Sequence, residues 1–146
     1  MASVAGIFIN LRRLEGNTGK RILLRSGDPQ THQSVADGCR NAGTIPVEYS
    51  DQYVCQGGVN VCTLLRVTRL ALLEHCNQMG ANALVDEEWE CRISGPKPSP
   101  NGAYKVDVVY TAGATRSTSA DPRKPVHLEK AENIPGLMTI VRRKNE

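Results

Sequence analysis

The stretch Asn60-Val-Cys-Thr-Leu-Leu-Arg-Val-Thr-Arg-Leu-Ala-Leu-Leu-Glu-His-Cys-Asn-Gln-Met79 decides the architecture. Val61, Leu65, Thr68, Leu72, Cys76 and Met79 recur at steps of three and four. Leu64, Ala71 and His75 stand on the shoulder of that face, and Arg66, Arg69 and Glu74 lie at other angles. A period near 3.6 with one apolar side predicts an amphipathic helix of about five turns that must lie on an apolar surface. Both ends are marked. Gly57-Gly58 precedes the helix, Asn60 can cap it by accepting a first-turn N–H, and Gly80 can take the left-handed conformation after the last turn.

Downstream the period changes to two. Ala83, Val85, Trp89, Cys91 and Ile93 alternate with Leu84, Asp86, Glu88, Glu90 and Arg92, which predicts a strand with one apolar and one polar face, broken by Glu87. After the Pro/Gly loop Gly95 to Gly102, Tyr104, Val106, Val108 and Tyr110 oppose Lys105, Asp107 and Thr111, and the two runs form an antiparallel hairpin. Upstream, Lys20 to Arg25, Ile45 to Val54 and Phe8 to Leu11 are candidate strands. Asp28-Pro29 either opens a short helix closed by Gly43 or belongs to an irregular loop. The expected fold is therefore α+β: a βαββ-type core with one long helix, about residues 60–79, on a small, mainly antiparallel sheet. Residues 1–116 make this single domain. Two prolines between Ser117 and Pro125 end it near Ala114, and 117–146 is a carboxyl-terminal arm. That arm carries Leu137, Met138, Ile140 and Val141, and docks on its own domain or on a neighbour.

Composition excludes several function classes. At 146 residues, with 40% apolar and 23% charged residues, one ordinary domain is expected and no segment is apolar enough to span a membrane. Aromatic residues make up 4%, with Phe8 and Trp89 the sole Phe and Trp, too few rings for a base-stacking platform. A net charge of +3, mixed in sign along the chain, falls short of a phosphate-binding face, so no nucleic-acid partner is expected. Five cysteines (39, 55, 62, 76 and 91) are an odd number without regular spacing, which favours reduced thiols. Met1 to Leu14 does not match a secretory leader, and a cytoplasmic protein is expected unless a leader has been removed.

Gly57-Gly58 before the helix, Gly80-Ala-Asn-Ala-Leu-Val85 after it, and a last strand ending in Ala112-Gly113-Ala114 resemble the YbjQ-like family of small α+β proteins, conventionally labelled putative heavy-metal-binding. The resemblance covers about residues 53–116. Asp86-Glu87-Glu88, Trp89 and the Pro-rich loop depart from it. It implies a ring-like homo-oligomer of βαββ units with a binding function.

The residues themselves carry little catalytic signal. Cys62 and Cys76 share a helix face but are separated by roughly 21 Å of rise, so one chain cannot close them on an ion, and neither a metal nor another cofactor is expected. Cys76 and Met79 on an apolar face are core residues before they are ligands. His75 diverges from Cys76 around the helix, which leaves the thiol without a base. Gly57-Gly58 offers backbone N–H groups to an anion, unaccompanied by any nucleotide-binding or nucleophile-elbow motif. Arg142-Arg143-Lys144 reads as a solvated basic end.

Glu87 is the one residue whose type contradicts its position, since alternation carries it to the apolar side beside Trp89. Three readings stay open: a desolvated general acid or base, a pair with Arg66 or Arg69 on the covering helix, or a bulge that turns it to water. Two functions follow. One is a non-catalytic homo-oligomeric module binding a small ligand or ion. The other is a small acid–base enzyme for a compact apolar substrate, with Glu87 and His75 catalytic and Trp89, Tyr104, Tyr110, Arg66 and Arg69 binding.

Overall fold

The computed structural model describes residues 20–39, 43–97 and 102–145. The strand expected at Phe8 to Leu11 lies outside them. The elements are β1 (Lys20–Arg25), α1 (Gln33–Gly38), β2 (Ile45–Gln56), α2 (Val61–Gln78), β3 (Ala83–Gly95), β4 (Tyr104–Thr115), a 3-10 turn (Leu128–Lys130) and β5 (Thr139–Arg143). The five strands form one sheet in the order β1-β3-β4-β2-β5, each antiparallel to its neighbour. Because β2 and β3 both run antiparallel to β4, they are parallel to one another. A parallel pair needs a crossover, and α2 is that crossover, lying over the strand between them.

Helix α2 buries Val61, Leu64, Leu65, Thr68, Leu72, Leu73 and Cys76 against Tyr53 and Cys55 of β2, Leu84, Trp89, Cys91 and Ile93 of β3, and Val106, Val108 and Tyr110 of β4. The Asn60 side chain accepts from the Thr63 N–H at 3.1 Å, and Gly80 is left-handed with φ +90°. Met79, expected on the buried face, lies past the last turn and is exposed. Arg69, expected among the polar angles, is buried. Thr68 joins helix and sheet: its hydroxyl donates to the Leu64 carbonyl at 2.7 Å, so the Tyr53 hydroxyl is the donor in the 2.8 Å bond between them.

The alternation of β3 is interrupted by a bulge. Val85 lies opposite Gly113 and Glu88 opposite Thr111, three steps on β3 against two on β4. Before it Leu84, opposite Ala114, faces the core. After it Trp89, opposite Tyr110, does. The single alternating face expected from Ala83 through Ile93 is thus wrong by one residue, because an extra residue exchanges the faces. Asp86 supplies the bend with φ +48°, and its N–H donates to Thr31 Oγ1 at 2.8 Å. Gln30 exchanges both backbone hydrogen bonds with Glu87, at 3.0 and 2.8 Å. Asp28-Pro29 therefore does not start a helix: its successor Gln30 covers the bulge, and α1 begins at Gln33 after His32.

The chain does not leave the fold after β4. Residues 116–138 of the arm form a strap across the core, and β5 then pairs with β2. Val126 is buried, Asn133 Oδ1 accepts from the Val61 N–H at 2.7 Å, and Val59 and Ile134 exchange backbone bonds. The arm docks on its own domain through Gly57, Gly58 and Gly136, where backbones cross so closely that a Cβ on Gly136 would meet the Gly57 carbonyl oxygen at 1.7 Å. The basic end is also tied down: Arg143 pairs with buried Asp51 and lies 5.5 Å from the centre of the Tyr53 ring. A chain truncated after Arg116 is expected to show no cooperative thermal transition by circular dichroism, where the full chain shows one. A truncated chain that melts cooperatively would show the strap to be dispensable.

Candidate functional site

Beneath α2, at the bulge of β3, lies a buried cluster of charge. Arg69 and Glu87 are 1% and 0% exposed. One edge of the Arg69 guanidinium grips Glu87, Nε to Oε1 at 2.7 Å and Nη2 to Oε2 at 3.0 Å. The other grips Asp121 of the strap, Nη1 to Oδ2 at 2.7 Å and Nη2 to Oδ1 at 2.9 Å. A planar fork can grip two carboxylates at once, each through two parallel N–H bonds, which a lysine cannot. Tyr110 donates its hydroxyl proton to Glu87 Oε1 at 2.6 Å, and His32 Nε2 stands 4.0 Å from Oε2 while bonded to the Lys124 carbonyl.

The electrostatics follow from this geometry. Burial alone would lower the pKa of Arg69, but the hydrogen bonds to Asp121 and Glu87 outweigh it and hold the guanidinium above its ordinary value. Burial likewise works against the Asp121 carboxylate, and Arg69 more than compensates, so Asp121 sits below the usual carboxylate range. Burial, reinforced by the Glu87 charge, pushes the Tyr110 phenol upward. Two carboxylates share one guanidinium in this cluster.

The same residues clamp the strap. The Val126 N–H donates to the Tyr110 hydroxyl at 3.3 Å, and the Trp89 indole donates to the Val126 carbonyl at 2.8 Å. Tyr110 and Trp89, expected as walls of a ligand pocket, therefore hold the chain's own buried Val126.

Of the residues singled out in the sequence, Glu87, Arg69, Tyr110 and Trp89 come together and the others do not. His75 is exposed, its ring 5.3 Å from that of Tyr49 on β2, and β4 separates β2 from β3. Tyr104 faces Cys55 at the start of β4, roughly 20 Å along the strand from Tyr110. Arg66 points outward and lines a groove of ≈ 180 Å³ with Val67, Arg69, Leu70 and Arg123. His32 and Asp121 were not legible as site residues. Asp121 lies in a proline-flanked segment without periodicity, and His32 is brought in by the pairing of Gln30 with the bulge.

Other candidate chemistries find no arrangement. The first N–H groups of α2 are taken by the Asn133 and Asn60 side chains, and Gly57-Gly58 serves the backbone crossing instead of an anion. Burial pushes the thiols of Cys55 and Cys91 up to about 11 and about 12, which keeps them protonated and poor nucleophiles. Among the described residues no group of three or more His, Cys, Asp or Glu is placed to hold a metal ion. The open face of the sheet, opposite α2, carries a shallow groove of ≈ 400 Å³ lined by Arg25, Gly27, Glu88, Trp89, Glu90, Val109 and Thr111.

Removing one partner from a buried ion pair leaves the other charge stranded, at a cost of about 3–5 kcal/mol. Arg69→Met, which strands Glu87 and Asp121 together, is accordingly expected to lower the melting temperature sharply, and Glu87→Gln, which leaves Arg69 paired with Asp121, is expected to lower it less. Equal melts for wild type and Arg69→Met would exclude a scaffold role. The pH limits carry opposite signs. Asp121, held below its ordinary 3.8, contributes stability above that pH and loses it as pH falls further. Tyr53, pushed up to about 12 chiefly by burial, and Tyr110 contribute below their ordinary 10.0 and lose it as pH rises through their folded values. A phenolate absorbance titration is expected to show part of the 4 tyrosines ionising only as the protein unfolds.

Compared with known proteins, the chain matches no family model, no curated protein and no solved structure, so the chemistry of the site is argued from its own residues.

Proposed function

We propose that this chain is a non-catalytic, homo-oligomeric module that binds a small ligand or ion. The observation that carries the reading is the state of Glu87. Both of its oxygens are engaged by Arg69, Tyr110 donates to one of them, and no surface is left for a substrate. A general acid or base must reach the proton it moves. The carboxyl that stood out in the sequence is spent on holding helix, sheet and strap together, and the acid–base alternative loses its principal residue. In this reading the ligand lies in the open-face groove, where Arg25, Glu88 and Glu90 offer polar contacts and Val109 an apolar one.

Self-association is supported by the edge formed by the arm. Strand β5 ends the sheet, and Leu137, Ile140 and Val141 are 92%, 39% and 50% exposed. An edge strand bearing apolar side chains is a ready template for another chain. Kinship with the YbjQ-like family belongs to the same proposal and is supported by the βαββ order from β2 to β4, and a cytoplasmic setting by the free cysteines. No helix among the described residues is long and apolar enough to cross a membrane.

Native mass spectrometry of the protein from its natural source tests both parts, because it reports copy number and any retained ligand together. More than one copy per particle, with a small ligand whose retention is lost on Glu88→Lys, is the expected result. A monodisperse monomer by light scattering at micromolar concentration would remove the oligomer. A Glu87→Gln protein that keeps its fold but loses turnover of a substrate would restore the enzyme.

A further inference from the structure

The outer side of α2 carries a second feature, the ≈ 180 Å³ groove between Arg66, Val67 and Leu70 of the helix and Arg123 of the strap, with Arg69 at its base. Its floor is apolar: Leu70 is 40% exposed although it is a large aliphatic residue, and the guanidinium of Arg69 is turned inward to its two carboxylates. Its rim is cationic. Arg66 and Arg123 are exposed, and among the described residues neither has an ion-pair partner.

The rim is held in place by the buried cluster. Arg123 has φ +56°, a conformation that costs a non-glycine residue free energy and persists where the surroundings enforce it. Here the enforcement is visible: the Arg123 N–H donates to Asp121 Oδ2 at 2.8 Å, and the same carboxylate is gripped by Arg69. The strained turn presents Arg123 opposite Arg66 across an apolar floor.

We propose that this groove is a docking site for an acidic, apolar segment of another protein: one aliphatic or aromatic side chain seated over Val67 and Leu70, flanked by carboxylates that pair with Arg66 and Arg123. Size and charge argue for this occupant. Sites for small molecules usually enclose roughly 300–1,000 Å³, whereas ≈ 180 Å³ suits the single apolar anchor that dominates many protein interfaces, and arginine is enriched at such positions. A second copy of this chain is mismatched in charge, since its most exposed apolar residue, Leu137 at 92%, sits in an arm that also carries Arg142, Arg143 and Lys144. Like charges across an interface are costly and select against the wrong partner.

The test uses the full chain and a fluorescein-labelled peptide of alternating Glu and Leu, with a Gln-and-Leu peptide of the same length as control, followed by anisotropy. The acidic peptide is expected to bind at least tenfold more tightly than the neutral one. Binding is expected to weaken at least tenfold in Arg66→Glu and in Arg123→Glu, and in Leu70→Asp, and to fall with added salt. All three positions are exposed, and an unchanged melting temperature in each variant separates lost docking from lost folding. Equal binding of the two peptides, no binding, or binding indifferent to Arg66 and Arg123 overturns the proposal. So does an acidic peptide that fails while anionic phospholipid vesicles or a second copy occupy the groove in an Arg66-dependent way.

Discussion

A buried guanidinium shared by two carboxylates is the constraint on which this molecule depends. Arg69 comes from the helix, Glu87 from the bulge in β3 and Asp121 from the strap, so one side chain joins three parts of the chain that are far apart in sequence. Each charge alone would be too costly to bury, and together with the Tyr110 hydroxyl they satisfy one another. A buried ion pair is weak support for stability when set against a well-packed apolar core. Its strength lies in geometry, because a bidentate fork accepts few alternative positions. The cluster therefore sets where the strap must lie.

The strap's path in turn explains the use of the aromatic residues. Tyr110 and Trp89 take both backbone groups of Val126, which ties the strap to the sheet beside Glu87. These bonds form a latch between the sheet and its own carboxyl-terminal arm. Two grooves lie outside it, the polar one on the open face and the cationic one along α2, the second of them shaped by the same Asp121 that Arg69 grips.

How much of this was legible can be judged from particular residues. The period of Asn60 to Met79 and its capping residues mark the helix, because periodicity and caps are local properties. The hairpin and the strand at Ile45 were legible for the same reason. Glu87 was marked as anomalous, and Arg69 was one of its two possible partners. Choosing between Arg66 and Arg69 needs the rotation of the helix over the sheet, about 60° of which separates a buried residue from an exposed one, and no local pattern contains it. Asp121 and His32 were invisible: their segments have no period, and what brings them to the cluster are long-range contacts.

The sequence by itself determined the long helix, the strands β1 to β4 and the α+β class, and left the short helix open, since these follow from the alternation of apolar and polar residues and from turn chemistry along neighbouring positions. Tertiary structure decided the rest. It placed the extra residue in β3 that exchanges its faces, folded residues 116–145 back as strap and edge strand, and bound Val126 to Tyr110 and Trp89. The physical reason is the same in each case. Register, docking and the pairing of buried charges are settled by contacts between residues distant in the chain, where the energy of closing a core outweighs the local preference of any one segment.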